Sequence, residues 1–283
     1  MGLHQEANLT TSDLRKLYKQ KSKRAFQIIT QHISADCYPS ETSVYDYYNL
    51  KSENRPIHPD VGGLPVKQGY PFSFNTITKE QLEATMKSLN KNSAPGRSNI
   101  TYADILYCDP DLSIHLTLFN RIIESGEVPR AWKQFETLLI PKPMKQGNYH
   151  EVNSWRPIAL LDCQYKLFTA ILAANIHQWT TFNHLLHPLQ KSIGPSDGCT
   201  EHNFLIRSII DKYENQLKLP VCALFLDIAD AFGTISIDMI LNLLIQMGIS
   251  HESCRLIKQL YSDCSHQIIC GPLKTREISV KIG

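Results

Sequence analysis

Apolar residues recur at helical spacing along most of this chain, and in a few places they give way to short unbroken runs. Leu82, Met86 and Leu89 share one helical face, and Thr78 with Gln81 fits a capping box that satisfies the first free backbone N–H groups. After the turn Ser93-Ala94-Pro95-Gly96 the spacing predicts a second helical stretch, then a third over 112–125 that Gly126 ends as a C-cap. Residues 134–140 and 155–161 read as strands, the first stopped by Pro141-Lys142-Pro143. An amphipathic helix is predicted over 166–179, with Leu167, Phe168, Ile171, Leu172 and Ile176 on one side. A Gly/Pro/Ser turn at 194–198 leads into a helix from 200 to about 217. Pro220 then introduces Val221-Cys-Ala-Leu-Phe-Leu-Asp227, read as a buried strand ending in a carboxylate. Helices follow over 237–247, capped by Gly248, and over about 252–262, and residues 267–270 and 278–282 suggest a hairpin. Ahead of all this, residues 13–31 look helical and basic, and 50–75 are punctuated by proline and glycine as a linker.

Composition narrows the reading only a little. Hydrophobic residues make up 42% and charged residues 20% of the 283, close to an ordinary globular protein, and the length allows one large α/β domain or two ordinary ones. With 29 Lys+Arg against 27 Asp+Glu the net charge is +2, so only local clusters can argue for a polyanionic partner. Arg15, Lys16, Lys19, Lys21, Lys23 and Arg24 form such a cluster, open equally to a solvated helical face and to phosphate contact. No apolar run is long enough for a membrane span, and the start has no signal-peptide layout, which favours a nuclear or cytoplasmic protein. The eight cysteines form no Cys-x-x-Cys pair, and several lie in apolar runs, as Cys222 does, so they read as reduced, buried small hydrophobes. His251, Cys254, Cys264, His266 and Cys270 lack the tight pair of ligands that a zinc knuckle needs.

Two groups of residues could carry chemistry. An apolar run delivers Asp227 to the place where α/β sheets bind ligands, and a carboxylate there can hold Mg²⁺. Phe232, five residues on, could close the floor of a nucleotide pocket. The plainer alternative is a strand-ending Asp that caps a turn, with Phe232 in the core. Lys142 and Arg156 flank the loop between two apolar strands, so antiparallel pairing would bring both cations to one end of a hairpin. Arg can fork two phosphate oxygens and Lys acts as a point charge; alternatively both are surface cations beside a loop. No Walker loop, no Gly-x-Gly-x-x-Gly and no Gly-x-Ser-x-Gly elbow occurs.

Taken in order, five blocks over about residues 76–283 resemble the reverse transcriptase of a non-LTR (LINE-type) retrotransposon of the site-specific group. Asn92-Ser-Ala-Pro-Gly96 resembles a fingers segment usually read Lys-x-x-Ala-Pro-Gly-Pro-Asp-Gly. Gly126-Glu-Val-Pro-x-x-Trp132 through Leu139-Ile-Pro-Lys142 resembles the first fingers strand and its lysine. Ser154-Trp-Arg-Pro-Ile-Ala-Leu-Leu161, with Tyr165-Lys166, resembles the second strand and its arginine. Gln190-Lys191 and Asp197-Gly-Cys-Thr-Glu201-His202 resemble the block before the palm, and Phe225-Leu-Asp-Ile-Ala-Asp-Ala-Phe232 the first palm motif.

The resemblance implies a helix-rich α/β (α+β) fold: the fingers and part of the palm of a right-hand polymerase. Residues 76–283 would form this body, with residues 1–75 an N-terminal helical extension and linker. It implies RNA-directed DNA polymerase ancestry, with an RNA template, a DNA primer, dNTP and Mg²⁺. Asp227 would be the catalytic metal ligand, with the Ile228 carbonyl assisting; Lys142 and Arg156 would contact the triphosphate; Phe232 would gate against a ribose 2′-OH. This chain departs from the family where Lys-Ala-Phe-Asp becomes Asp230-Ala-Phe-Gly233, and no Tyr/Phe-x-Asp-Asp pair occurs in it. The expectation is therefore a truncated or decayed domain, inactive by itself. The rival expectation is a non-catalytic RNA-binding module derived from such a domain.

Overall fold

A computed structural model describes residues 38–53, 66–142, 149–191, 197–228 and 235–280. The basic run from Arg15 to Arg24 lies outside the described residues, as do Phe232, Asp230 and Gly233.

Among the described residues there are eight α-helices: α1 Glu41–Glu53, α2 Lys79–Ser88, α3 Tyr102–Cys108, α4 Ser113–Ser125, α5 Cys163–Phe182, α6 Gly198–Asp211, α7 Ile237–Met247 and α8 His251–Tyr261. Their ends follow the local chemistry. Thr78 closes α2 with a full capping box to Gln81, and Thr101 does the same for α3 with Asp104. Gly126 ends α4 and Gly248 ends α7, both in left-handed backbone (φ 69° and 117°) that other L-residues rarely adopt. Asp109 serves α4 in place of an ordinary cap. Its carboxylate accepts the backbone N–H groups of Ile114 and His115 (3.3 and 2.9 Å).

The strands are β1 Gln134–Pro141, β2 Trp155–Leu160, β3 Cys264–Cys270, β4 Leu273–Lys274 and β5 Ile278–Val280. They form one mixed sheet in the order β2-β1-β3-β4, with β5 also on β3. β1 and β2 are an antiparallel hairpin, whereas β1 and β3 run parallel, with Gln134 opposite Ser265. One face of this sheet is buried. Thr137, Leu139 and Pro141 of β1 pack there, level with Ile268 and Cys270 of β3. α1 covers that face: Val44, Tyr48 and Ser52 are its buried residues, Ser52 donates to the Ser279 carbonyl at 2.8 Å, and the Arg276 guanidinium stacks 3.8 Å from the Tyr45 ring.

The largest core lies among α2, α3, α4 and α5, where Phe119, Phe168, Trp132 and Tyr102 meet and α8 adds Leu256 and Leu260. A third cluster joins the end of α5, through Trp179, to Ile237 and Leu241 of α7 and Ile257 of α8. Part of the expected linker is a docked strap. Phe72 forms a parallel bridge with Ile249, and the Trp179 indole N–H donates to the Tyr70 carbonyl at 2.8 Å. The linker's first residues, 50–53, close α1 instead.

One expected element is absent. Residues 219–228 form no strand, and the run expected to be buried is open to solvent: Leu224, Phe225 and Leu226 are 83%, 77% and 86% exposed. Cys222, read as buried, is exposed with it. An apolar run becomes a strand only against a neighbour that completes its ladder, and no described strand offers one here. α6 just before it likewise has no buried residue, although Phe204, Leu205 and Ile209 lie along it.

Candidate active site

The Ser93-to-Gly96 turn is locked onto the start of α5. Asp162 accepts both the backbone N–H (3.1 Å) and the hydroxyl (2.8 Å) of Ser98, and the Lys166 ammonium donates to the Ala94 carbonyl at 2.6 Å. A Cβ on Gly96 would come within 2.5 Å of the Asp162 backbone nitrogen, so only glycine permits this approach. Asn99 holds a left-handed conformation (φ 57°) where the related pattern has glycine, and asparagine is the side chain that tolerates it best. Arg97 pairs with Glu277 at 3.3 Å, which ties the turn to the loop before β5.

The block before 219–228 is a compact knot. Asp197 caps α6 by accepting from Thr200, whose hydroxyl and amide hold the carboxyl below its usual range. Lys191 pairs with Glu201 at 2.9 Å, and a Cβ on Gly198 would collide with the Lys191 carbonyl.

Lys142 and Arg156 do reach the same end of the β1–β2 hairpin. Arg156 stands opposite Ile140, and the Lys142 backbone N–H donates to the Ser154 carbonyl at 2.9 Å, one step beyond. Their side chains part company. The Lys142 ammonium donates to the Asn153 carbonyl at 2.8 Å and lines a groove with Trp155, Pro157 and Tyr47, on the α1 side of the sheet. Arg156 lies between Trp155 and Pro157 in β2, so alternation puts it on the opposite, open face, where Ile158 is 38% exposed.

Asp227 and Ile228 lie in the exposed apolar segment, with Ile228 70% exposed. Among the described residues no group of three or more carboxylates, histidines or cysteines, at Asp227 or elsewhere, stands close enough to hold a metal ion. A divalent ion held by one open carboxylate would keep most of its waters. The described residues therefore do not fit a fixed two-metal centre.

α1 with its lysine and tyrosines was not legible as part of any site. Its signals are weak ones: Ser40 accepting from the Ser43 amide, Glu41 in the first turn, and Val44, Tyr48 and Ser52 four apart.

Residues 140–280 match the family described as reverse transcriptase (RNA-dependent DNA polymerase). The chain is 29% identical over 213 residues to the Retrovirus-related Pol polyprotein from type-1 retrotransposable element R2 of Popillia japonica, covering 75% of this chain and 28% of that protein. It is 24% identical over 227 residues to the Transposon TX1 uncharacterized 149 kDa protein of Xenopus laevis, covering 76% and 17%. It is 26% identical over 174 residues to the Probable RNA-directed DNA polymerase from transposon BS of Drosophila melanogaster, covering 60% and 18%. The chain thus spans well under a third of the length of these relatives.

Proposed function

Because residues 140–280 belong to the reverse transcriptases of non-LTR retrotransposons, we propose that this chain supplies the fingers and the first palm segment of an RNA-directed DNA polymerase. Its ligands would be an RNA template, a DNA primer and deoxynucleoside triphosphates. The observation that carries the reading is the β1–β2 hairpin, braced by β3 and presenting Arg156 on an uncovered face. A guanidinium there can fork two phosphate oxygens of an incoming nucleotide. Lys142, at the same end, would contribute a second charge when its stem swings from Asn153. Asp227 would meet the reacting phosphate, and Phe232 would crowd the 2′ position of the sugar.

The family works with a divalent metal, and Mg²⁺ beside Asp227 and the Ile228 carbonyl is the form proposed for this chain. Two-metal transfer needs further carboxylates at fixed distance, and the described residues gather no cluster of three or more potential ligands at Asp227. The 283-residue chain by itself is therefore proposed not to polymerise. Primer extension on an RNA template with Mg²⁺ should give no product. Robust product that Asp227→Ala abolishes would overturn that statement. The nucleotide role is tested separately, by binding of a fluorescent deoxynucleoside triphosphate to the chain loaded with an RNA/DNA hybrid. Arg156→Ala should weaken binding tenfold or more, since a charge-assisted hydrogen bond contributes about 1.5–3 kcal/mol. Unchanged affinity would refute the role.

A non-catalytic RNA-binding module is the second reading, favoured by the exposure of Asp227 and by the absence of a three-ligand cluster among the described residues. It requires that the chain bind RNA at low salt and lose affinity steeply as salt rises.

A further inference from the structure

A pocket with no role in the chemistry above lies at the other end of the sheet from Lys142 and Arg156. It sits where the parallel strands β1 and β3 begin, with Gln134 opposite Ser265. β1 has eight residues, so its two ends are about 23 Å apart at 3.3 Å per residue. The volume is about 520 Å³, within the range of ligand sites. Arg130, Lys133 and Gln134 line it from the start of β1, and Asp263, Ser265 and Glu277 from the start of β3 and the loop before β5. Lys133 is buried, at 7% exposure, and its ammonium donates to a neutral group, the Gln259 carboxamide oxygen of α8, at 3.0 Å. That bond uses one of three N–H donors, and a buried charge is ordinarily paired with an opposite one. Among the described residues no carboxylate pairs with Lys133, and the side chains of Arg130 and Asp263 make no hydrogen bond or ion pair. Glu277 is already engaged. It pairs with Arg97 at 3.3 Å and accepts the Ser265 hydroxyl at 2.8 Å. With Arg97 counted, three cations stand against two carboxylates, a net charge of +1.

We propose that this pocket binds a free phosphate anion, inorganic phosphate or pyrophosphate, with its charged oxygens on Lys133 and Arg130 and its P–O–H on Asp263. Lys133 supplies two unspent donors at the floor, and the exposed Arg130 supplies a fork at the rim. The Gln134 carboxamide can donate a further hydrogen bond. The two cations alone would take any oxyanion, and Asp263 narrows the choice. A carboxylate only accepts hydrogen bonds, so it repels a bound anion unless that anion brings a proton to share. Inorganic phosphate and pyrophosphate keep an O–H at neutral pH, whereas sulfate and a phosphodiester keep none. The pocket therefore suits a free phosphate and not a nucleic-acid backbone. It is independent of the polymerase reading, because an ion here cannot reach the hairpin tip at the far end of β1.

The test is calorimetric titration of the whole chain with inorganic phosphate, with pyrophosphate and with sulfate, in a buffer free of all three. One or both of the phosphates should bind, the tighter naming the source, and sulfate should bind about tenfold more weakly or worse. Arg130→Gln, at an exposed position, should weaken phosphate binding about tenfold, and Lys133→Met, which keeps the buried stem, should weaken it at least as much. Asp263 holds a left-handed backbone (φ 56°) that asparagine also tolerates. Asp263→Asn should therefore fold, and it should narrow the gap between phosphate and sulfate to about threefold or less, because the carboxamide can donate to either ion. Arg156→Ala should leave phosphate binding unchanged. Thermal melts matching the parent chain show that the variants fold. The proposal is overturned if neither phosphate nor pyrophosphate binds at ~10 mM, or if Arg130→Gln and folded Lys133→Met bind like the parent. Sulfate binding equal to phosphate in the parent chain, or loss of phosphate binding in Arg156→Ala, would overturn it as well. The last result would place the ion at the hairpin tip and leave the polymerase reading standing. Unchanged phosphate binding in a chain that fails to bind deoxynucleoside triphosphate would reject that reading alone.

Discussion

The Asp109–His115 pair can be broken with a single change and its cost worked out. Both side chains are buried, at 2% and 7% exposure, and Asp109 Oδ2 lies 2.6 Å from His115 Nδ1. The same carboxylate accepts the Ile114 and His115 amides at the start of α4. Asp109→Ala therefore removes a helix cap, about 1 kcal/mol, and leaves a buried ring nitrogen without its partner, about 1–3 kcal/mol. The sum is about 2–4 kcal/mol, and at roughly 2–4 °C per kcal/mol for a chain of this size the melting temperature should fall by about 4–16 °C. His115→Ala in the same background should add little, because the orphaned nitrogen goes with it. The dependence on pH has a definite sign. Burial pushes the Asp109 carboxyl up, but hydrogen bonds from the His115 ring and from the His115 and Ile114 amides together hold it below its usual value. A folded pKa below the unfolded value, near 4, means a contribution that is whole above pH ~4 and is lost as pH falls through the folded pKa. Circular-dichroism melts of parent and variant from pH 7 downward measure this. A gap under about 2 °C at pH 7, or one that fails to narrow below pH ~4, refutes the argument.

Gly96→Ala should release the Ser93-to-Gly96 turn from α5, since its Cβ meets Asp162 backbone at 2.5 Å; faster amide exchange at Ser98 without global unfolding is the expected signature, and native protection there would contradict it. Thiol labelling should separate the cysteines. Cys108, Cys199 and Cys222 are exposed and should react first, whereas burial raises the thiols of Cys163, Cys254, Cys264 and Cys270, the last to about 12. Rapid labelling of Cys270 in the folded chain would count against β3 as described. Replacing Leu224 and Phe225 by Lys should cut dye binding to apolar surface and slow aggregation without lowering the melting temperature, because neither side chain is packed. A destabilised double variant would show that the segment is buried after all.

Local chemistry explains which elements the sequence made legible. The caps at Thr78, Gly126 and Gly248 and the apolar face of α5 are set within a few residues, and each appears where its pattern places it. The hairpin positions of Lys142 and Arg156 were legible for the same reason, but the groove in which the Lys142 ammonium ends is completed by α1, which arrives from about 90 residues upstream. α1 itself escaped notice because its buried stripe is short and largely aromatic or polar: Val44, Tyr48, Ser52. Residues 219–228 mislead in the other direction. Val-Cys-Ala-Leu-Phe-Leu carries strand composition, yet a ladder is a property of two segments, and composition describes one.

The parallel pairing of β1 with β3 also sets a clock on synthesis. Gln134 meets Ser265 about 130 positions later, and at ~5–20 residues per second the ribosome needs roughly 6–26 s to deliver that partner. Throughout that interval the β1–β2 hairpin, itself complete within microseconds, stands with one edge of β1 unpaired. An unpaired edge of that kind is a substrate for chaperones and for mispairing between nascent chains on one message. β1 is therefore built early and protected late, and slower synthesis between the two strands lengthens the interval in which its edge is open.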